Sequence, residues 1–257
     1  MAQYMHLRLP MKKTLGAMII LNSFAVGACS LSEEPDATSM NIINGDGLET
    51  ERETAGRLYI KKNGELEHRC SASFIGPKTV LTAFHCVDEE DQRDDLYFAL
   101  GEGSEAPREN AVAVESIHYY GYSFSDNKDL AILRLENPIW GVTPVELAEP
   151  EMGPASIVGF GCTEPVASSE EKILDDQKRI GGVDVFDVRA HRIDAEGSSV
   201  TCFGDSGGPM YQVQKGVEYQ IGVHANSSIY GTYIAESVID IESVSYTHLT
   251  LPTICSV

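Results

Sequence analysis

The sequence is poor in basic residues and lacks long apolar runs. Lys and Arg number 19 against 39 Asp and Glu, which gives a formal net charge of −20. A surface of that sign repels nucleic acid and anionic lipid, so neither is expected as a partner. No run reaches the roughly 18 apolar residues of a membrane-spanning helix. Apolar residues still make up 42% of the 257 residues, which is enough for the core of one large or two small domains.

Long helical periodicity is also missing. Beyond residue 42, short apolar or alternating runs are separated by Gly, Pro, Asn and Asp, and no internal repeat is visible. Many short strands with such turns predict an all-β sandwich or barrel. The runs expected to form strands are Arg57–Lys61, Ser71–Ile75, Thr79–Ala83, Leu96–Leu100, Ala111–His118, Ala131–Leu135, Ala155–Phe160, Gly182–Arg189, Met210–Val213 and Tyr219–Val223.

The N-terminus has the pattern of an export signal. Met11 and two lysines precede the apolar segment 14–26, and the first ten residues fit no part of the signal, so a start at Met11 is an alternative. The sequence Ala28-Cys29-Ser30 is similar to a bacterial lipoprotein signal, in which Cys29 would become the lipidated first residue. Cleavage near Ala28 without lipidation is the alternative. We expect a signal over residues 1–29, a tether or propeptide over 30–41, and a protein in the periplasm, on the outer membrane or secreted.

Ser206 stands in the octet Cys202-Phe203-Gly204-Asp205-Ser206-Gly207-Gly208-Pro209. The glycines permit backbone conformations closed to other residues and let a substrate lie close to the main chain. The backbone N–H groups of Gly204 and Ser206 would then bind a developing oxyanion. The alternative is a glycine-rich turn with an incidental serine.

A nucleophilic serine needs a base, and the base needs an orienting group. The chain has only seven histidines, and His85 follows the apolar run that begins at Val80, where a strand ends. Asp129 directly precedes the apolar run 130–135. Taken singly, each has a plain alternative: a buried core histidine and a surface acid beside a strand.

Three segments together resemble the trypsin/chymotrypsin family of serine endopeptidases. They are Thr82-Ala83-Phe84-His85-Cys86, Asp129-Leu130-Ala131-Ile132-Leu133 and Gly204-Asp205-Ser206-Gly207-Gly208-Pro209, in the family's order of His, Asp and Ser. The resemblance covers residues 42 to about 240. It implies two six-stranded antiparallel β-barrels with the active site at their junction. We expect a protease domain over 42–243, with barrels over about 42–140 and 150–243 and a linker over 136–150.

The resemblance also implies the chemistry. Ser206 would attack a peptide carbonyl, His85 would transfer the proton and Asp129 would orient the imidazole, with no metal or cofactor. Expected partners are protein or peptide substrates and a proteinaceous inhibitor. The chain is expected to be monomeric and to contact a membrane only through a lipid anchor. The alternatives are a non-catalytic binding module with the same fold and a lipid-anchored adhesion or structural protein.

Asn41-Ile42-Ile43-Asn44-Gly45 is similar to the activation site of the same family. Cleavage before Ile42 would free an ammonium group that becomes buried against Asp205. The residue before this bond is Asn41, not Arg or Lys. Self-activation by a trypsin-like specificity is therefore not expected. The alternative is that this segment simply starts a strand.

The substrate pocket is placed by the same resemblance. Val200, six residues before Ser206, would form its floor, so the aspartate that selects Lys and Arg is absent. Thr201 and His224 match a glutamate-specific branch and would bind a substrate carboxylate. Alternatively, His224 packs behind Asp129, and Val200 and Asn226 make a small apolar pocket.

The six cysteines are expected to have three different roles. Cys29 would be the lipid site of the lipoprotein-like signal. Cys70 and Cys86 match a disulfide that fixes the histidine loop, and Cys202, whose usual partner is missing, is expected to pair with Cys162; two free thiols are the alternative. The segment from Val244 looks like translated sequencing adapter, so residues 244–257, including Cys255, are left out of the fold prediction. A natural variable tail is the alternative.

Overall fold

The computed structural model describes residues 42, 47–88, 95–101, 109–119, 129–162, 177–189, 192–199, 201–227 and 232–237, with residues 227 and 232–237 described by their backbone only. The expected signal, lipid site, tether and tail lie outside the described residues, as do Val200 and Asn41. Within the described residues, no helix has the length and apolar character needed to cross a membrane.

Six antiparallel strands close a barrel in the N-terminal half. They pair in the order β2-β3-β4-β7-β6-β5, so each edge strand finds a partner. The strands are β2 (Ala55–Lys62), β3 (Glu65–Gly76), β4 (Thr79–Thr82), β5 (Leu96–Leu100), β6 (Val112–Tyr119) and β7 (Ala131–Leu135).

A second, seven-stranded sheet follows. Its strands are β1 (Gly47–Leu48), β8 (Gly153–Gly159), β9 (Arg179–Arg189), β10 (Arg192–Glu196), β11 (Pro209–Gln214), β12 (Val217–Ser227) and β13 (Thr232–Ser237). The sheet order is β1-β9-β10-β13-β12-β11-β8, and β9 also pairs with β8, so six of the strands close a ring. The all-β prediction with two barrels is therefore confirmed, and the short strand β1 joins the second barrel at β9.

Each barrel has its own apolar core. Leu58, Phe74 and Phe98 are fully buried in the first, and Ile157 and Met210 are buried in the second. One residue of the second barrel, Val223 on β12, packs into the core of the first. This contact fixes the junction at which the candidate site lies.

Residues 136–152 connect the two barrels without forming a strand. The backbone of this segment bonds first to the N-terminal barrel, where Ile139 N–H donates to the Pro77 carbonyl at 2.9 Å. It then bonds to the C-terminal barrel, where Gln220 N–H donates to the Glu146 carbonyl at 2.9 Å. The segment is thus held against both barrels.

Candidate active site

His85 and Asp129 meet at the end of the first barrel. Strands β4 and β7 are paired, with Thr82 opposite Ala131, so the residues that follow β4 and precede β7 lie side by side. A short 3-10 helix, Phe84–Cys86, presents His85. Its ring Nδ1 lies 2.5 Å from Asp129 Oδ2, and its backbone N–H donates to Asp129 Oδ1 at 2.8 Å. Because an ionised carboxylate only accepts, Nδ1 carries the proton and Nε2 is left as a base.

The disulfide expected between Cys70 and Cys86 is confirmed. It joins β3 to the short helix that carries His85, so it limits movement of the histidine. Cys70, His85 and Cys86 are also the one group of three potential metal ligands among the described residues. The bond between the two sulphurs leaves no thiolate to bind a metal there.

The Ser206 loop packs closely against the end of β4. Gly207 has φ of +81°, and a Cβ built on it would lie 2.1 Å from Thr82 Oγ1 and 3.1 Å from Ala83 N. Only glycine permits this approach. Since Ala83 is two residues before His85, the glycine that follows Ser206 packs beside the segment that leads to the histidine.

The main-chain hydrogen bonds of this loop leave two N–H groups pointing outward. The carbonyls of Phe203 and Asp205 accept from Cys162 N–H and Gly208 N–H, each at 3.0 Å. In a trans peptide the N–H points away from the carbonyl, so these bonds also orient the N–H groups of Gly204 and Ser206. Neither of these two donates to an acceptor among the described residues. An oxyanion site would need two such donors.

The expected pair Cys162–Cys202 is likewise a disulfide. It links the segment after β8 to the start of the Ser206 loop. Cys162 therefore holds this loop twice, through its sulphur to Cys202 and through its N–H to the Phe203 carbonyl.

Asp205 is buried, with 2% of its surface exposed. Its carboxylate accepts from Gly161 N–H at 2.7 Å and from Cys202 N–H at 2.8 Å. Burial raises the pKa of this carboxyl to about 6, although the two backbone donors and the charge of Arg179 oppose the rise. The Asp205 carboxylate fits here only because residue 159 is glycine, since a Cβ at Gly159 would lie 2.1 Å from Asp205 Oδ1.

Ile42 is buried in the core of the second barrel, with 2% of its surface exposed. It packs with residues of β8, β9 and β11, among them Ile157, Val183 and Met210. The hydrophobic effect favours the burial of this apolar side chain.

His224 and Thr201 form a buried pair. Their Nε2 and Oγ1 atoms are 2.9 Å apart, and both residues are buried. Burial, together with the charge of His85, lowers the pKa of His224 to about 3, and the charge of Asp129 opposes this only in part. His224 is therefore neutral at pH 7. Asn226 is exposed near the end of β12.

Ser71 was missed by the sequence prediction as a site residue. Its hydroxyl donates to the Gly204 carbonyl at 2.8 Å and accepts from Phe160 N–H at 3.0 Å. It stands inside a run that predicts only a strand, and its partners are 133 and 89 residues away. No local signal marks it.

The comparisons with known proteins identify the family of this chain. The sequence model of the trypsin family matches residues 42–240. The chain belongs to the trypsin family. It is similar to trypsin zeta of Drosophila erecta, with 27% identity over 169 residues that make up 56% of this chain and 60% of that protein. It is 26% identical to CLIP domain-containing serine protease B4 of Anopheles gambiae over 249 residues, or 77% of this chain and 66% of that protein.

Granzyme M of Rattus norvegicus is a further similar member, 28% identical over 166 residues, which cover 56% of this chain and 64% of that protein. The chain thus spans about 60 to 66% of the lengths of these relatives. Its two disulfides are typical of a protein exported to an oxidising compartment.

Proposed function

We propose that this trypsin-family chain is a serine endopeptidase. The observation that carries the proposal is the Asp129–His85 pair, which leaves Nε2 of His85 as a base at the junction that the Ser206 loop also faces. In the first step Ser206 Oγ attacks a peptide carbonyl, and His85 Nε2 takes the hydroxyl proton. Asp129 stabilises the imidazolium that results.

The second half of the reaction uses the same groups. The N–H groups of Gly204 and Ser206 bind the oxyanion, and His85 returns its proton to the departing amine as the acyl-enzyme forms. Water, activated by His85, then attacks the ester and releases Ser206. No metal or cofactor takes part in the proposed steps.

We propose that the chain is made as a zymogen. In the uncut chain, the buried Asp205 carboxylate has two backbone donors and no N-terminal ammonium group. Cleavage before Ile42 would supply that group, and a buried charge left without a charged partner costs about several kcal/mol. The already buried side chain of Ile42 supports this assignment, because only its amino group has still to be freed.

The proposed primary specificity is for small apolar side chains rather than for Lys or Arg. A neutral His224 whose Nε2 already lies at Thr201 Oγ1 offers no cationic partner for a substrate carboxylate. The net charge of −20 also disfavours an acidic substrate. The His224–Thr201 pair itself favours the second candidate, cleavage after Glu, since both groups can hydrogen-bond a carboxylate.

The remaining parts of the proposal concern the setting. We propose export from a bacterial cell by the signal over residues 1–29, lipidation at Cys29, a monomeric chain, protein or peptide substrates, and control by a proteinaceous inhibitor. They rest on the sequence alone.

A fluorophosphonate probe tests the activity directly. The full-length protein, cleaved between Asn41 and Ile42 as verified by N-terminal sequencing, should be labelled at Ser206, and Ser206→Ala should abolish labelling. Ser73→Ala is the matched control, because Ser73 is a buried serine of β3 outside the proposed site. An unlabelled cleaved protein beside a labelled known protease would favour the non-catalytic binding module.

A further inference from the structure

The Ser71 side chain lies where three parts of the site meet. It is fully buried on β3. Its Oγ donates to the Gly204 carbonyl at 2.8 Å and accepts from Phe160 N–H at 3.0 Å. One hydroxyl thus joins the Ser206 loop to the segment that carries Gly161, a hydrogen-bond partner of Asp205.

The main chain of Ser71 adds two further bonds. Its N–H donates to the Ser206 carbonyl at 2.9 Å, and its own carbonyl accepts from Thr82 Oγ1 at 3.0 Å. Ser71 therefore bonds to the carbonyls on both sides of the Asp205–Ser206 peptide. That peptide carries the Ser206 N–H, one of the two oxyanion donors in the proposed function.

Resting on that function, we infer that Ser71 is a positioning residue that keeps the oxyanion donors aimed before substrate arrives. The physical reason is the cost of buried polar groups. Without the hydroxyl, the Gly204 carbonyl and the Phe160 N–H lose a partner in a place that water does not reach. Turning these groups towards other partners then lowers the free energy. This rotation of the Ser206 loop also moves the N–H groups of Gly204 and Ser206.

Ser73 provides a matched control. It is two residues further along β3 and equally buried. Among the described residues, its hydroxyl hydrogen-bonds only to the Leu81 carbonyl, at 3.4 Å, within the first barrel. Ser73→Ala therefore removes a buried hydroxyl from the same strand without touching the Ser206 loop.

The first test is hydrogen–deuterium exchange of the full-length chain. Ser71→Ala should speed deuterium uptake more in peptides covering residues 158–162 and 202–208 than in peptides covering β5. Ser73→Ala should not produce this difference. Ser71→Thr keeps the hydroxyl and should restore the wild-type pattern. Uptake in the two segments that matches the control variant would overturn the inference, whether or not the protein is active.

The second test is kinetic and uses the cleaved protein. Ser71→Ala should lower kcat about tenfold with KM nearly unchanged, the size of effect typical of groups that orient catalytic ones. A peptide aldehyde, whose tetrahedral adduct places an oxygen in the oxyanion site, should bind about tenfold more weakly, while a product peptide should bind as before. Equal weakening of both ligands, or none, would contradict a role in oxyanion positioning. If the wild-type protein has no activity at all, the proposed function fails and the exchange experiment still decides the role of Ser71.

Discussion

Asp129 accepts two hydrogen bonds from His85, one from ring Nδ1 at 2.5 Å and one from the backbone N–H at 2.8 Å. One carboxylate therefore fixes both the ring and the main chain that carries it. The disulfide at the neighbouring Cys86 restrains the same short helix. The imidazole is thus held in one tautomer and one place, as a general base requires.

The first prediction concerns these residues as a unit. Ser206→Ala and His85→Ala should each lower kcat on the order of 10⁶-fold, because removing either member disables the proton transfer. Asp129→Asn should lower it about 10⁴-fold, because an amide in place of the carboxylate favours the wrong imidazole tautomer. Single-turnover kinetics on a chromogenic peptide ester measure all three.

Glu115→Gln is a suitable control for the loss of one carboxylate, since Glu115 is exposed and, within the part of the chain that the structure describes, pairs only with Arg134. It should keep wild-type activity. A Ser206→Ala protein with a tenth of wild-type activity would remove that residue from the catalytic role.

The second prediction concerns the pH dependence of the uncut chain. The pKa of Asp205 is raised in the fold from an ordinary value of 3.8 to about 6. The stability that its protonated form contributes is thus present below about pH 4 and lost as the pH rises through about 6. Between pH 4.5 and 7.5 this loss is on the order of 2 kcal/mol.

Asp205→Asn removes that titration. Both proteins carry Ser206→Ala, which prevents self-cleavage, and their free energies of unfolding are measured in urea. The free energy of unfolding of the Asn variant, relative to that of its parent, should rise by this amount between pH 4.5 and 7.5. The difference between the two pH curves is the readout, because the amide also changes the bonds from Gly161 and Cys202. Parallel curves would mean that Asp205 is ionised throughout in the uncut protein.

The third prediction concerns the two disulfides. In the chain-entropy model, the 16-residue separation of Cys70 and Cys86 corresponds to about 3 kcal/mol, and the 40-residue separation of Cys162 and Cys202 to about 4 kcal/mol. Replacing each pair by alanine in the Ser206→Ala background should lower the free energy of unfolding in urea by these amounts. Unchanged unfolding after loss of either pair would show that its bridge does not stabilise the protein.

The strands that the sequence predicts best are those whose apolar pattern is unbroken. The bounds of β5 and β7 agree with the prediction, and β9 begins three residues earlier than expected, at Arg179. Strand β10 was missed because Arg192, Asp194 and Glu196 give it a charged face. In the fold Asp194 is buried beside the guanidinium of Arg192, so the two charges compensate each other within the strand.

The residues of the candidate site also differ in how well the sequence predicts them. The sequence singles out His85, Asp129 and Ser206 as candidates because each stands in a local motif, and the partner of Cys202 followed from the family resemblance. Ser71 was not predictable, since its contacts join segments far apart in the chain and depend on the packing of both barrels. The short strand β13 was missed too, and β1 pairs with β9 through only two residues, too few to show a pattern.

The last prediction concerns primary specificity. Cleavage of a peptide library, read by mass spectrometry, should give cuts mainly after small apolar residues and few after Lys or Arg. Because the pKa of His224 is lowered to about 3, this residue stays neutral from pH 5.5 to 8, and the preference should not change over that range. Cuts after Glu that become more frequent towards pH 5.5 would show that His224 is protonated in the complex and that it recognises a carboxylate together with Thr201. Thr201→Val tests the same point independently, since it should leave cleavage after small apolar residues intact and would abolish cleavage after Glu only if the buried pair forms an acidic subsite.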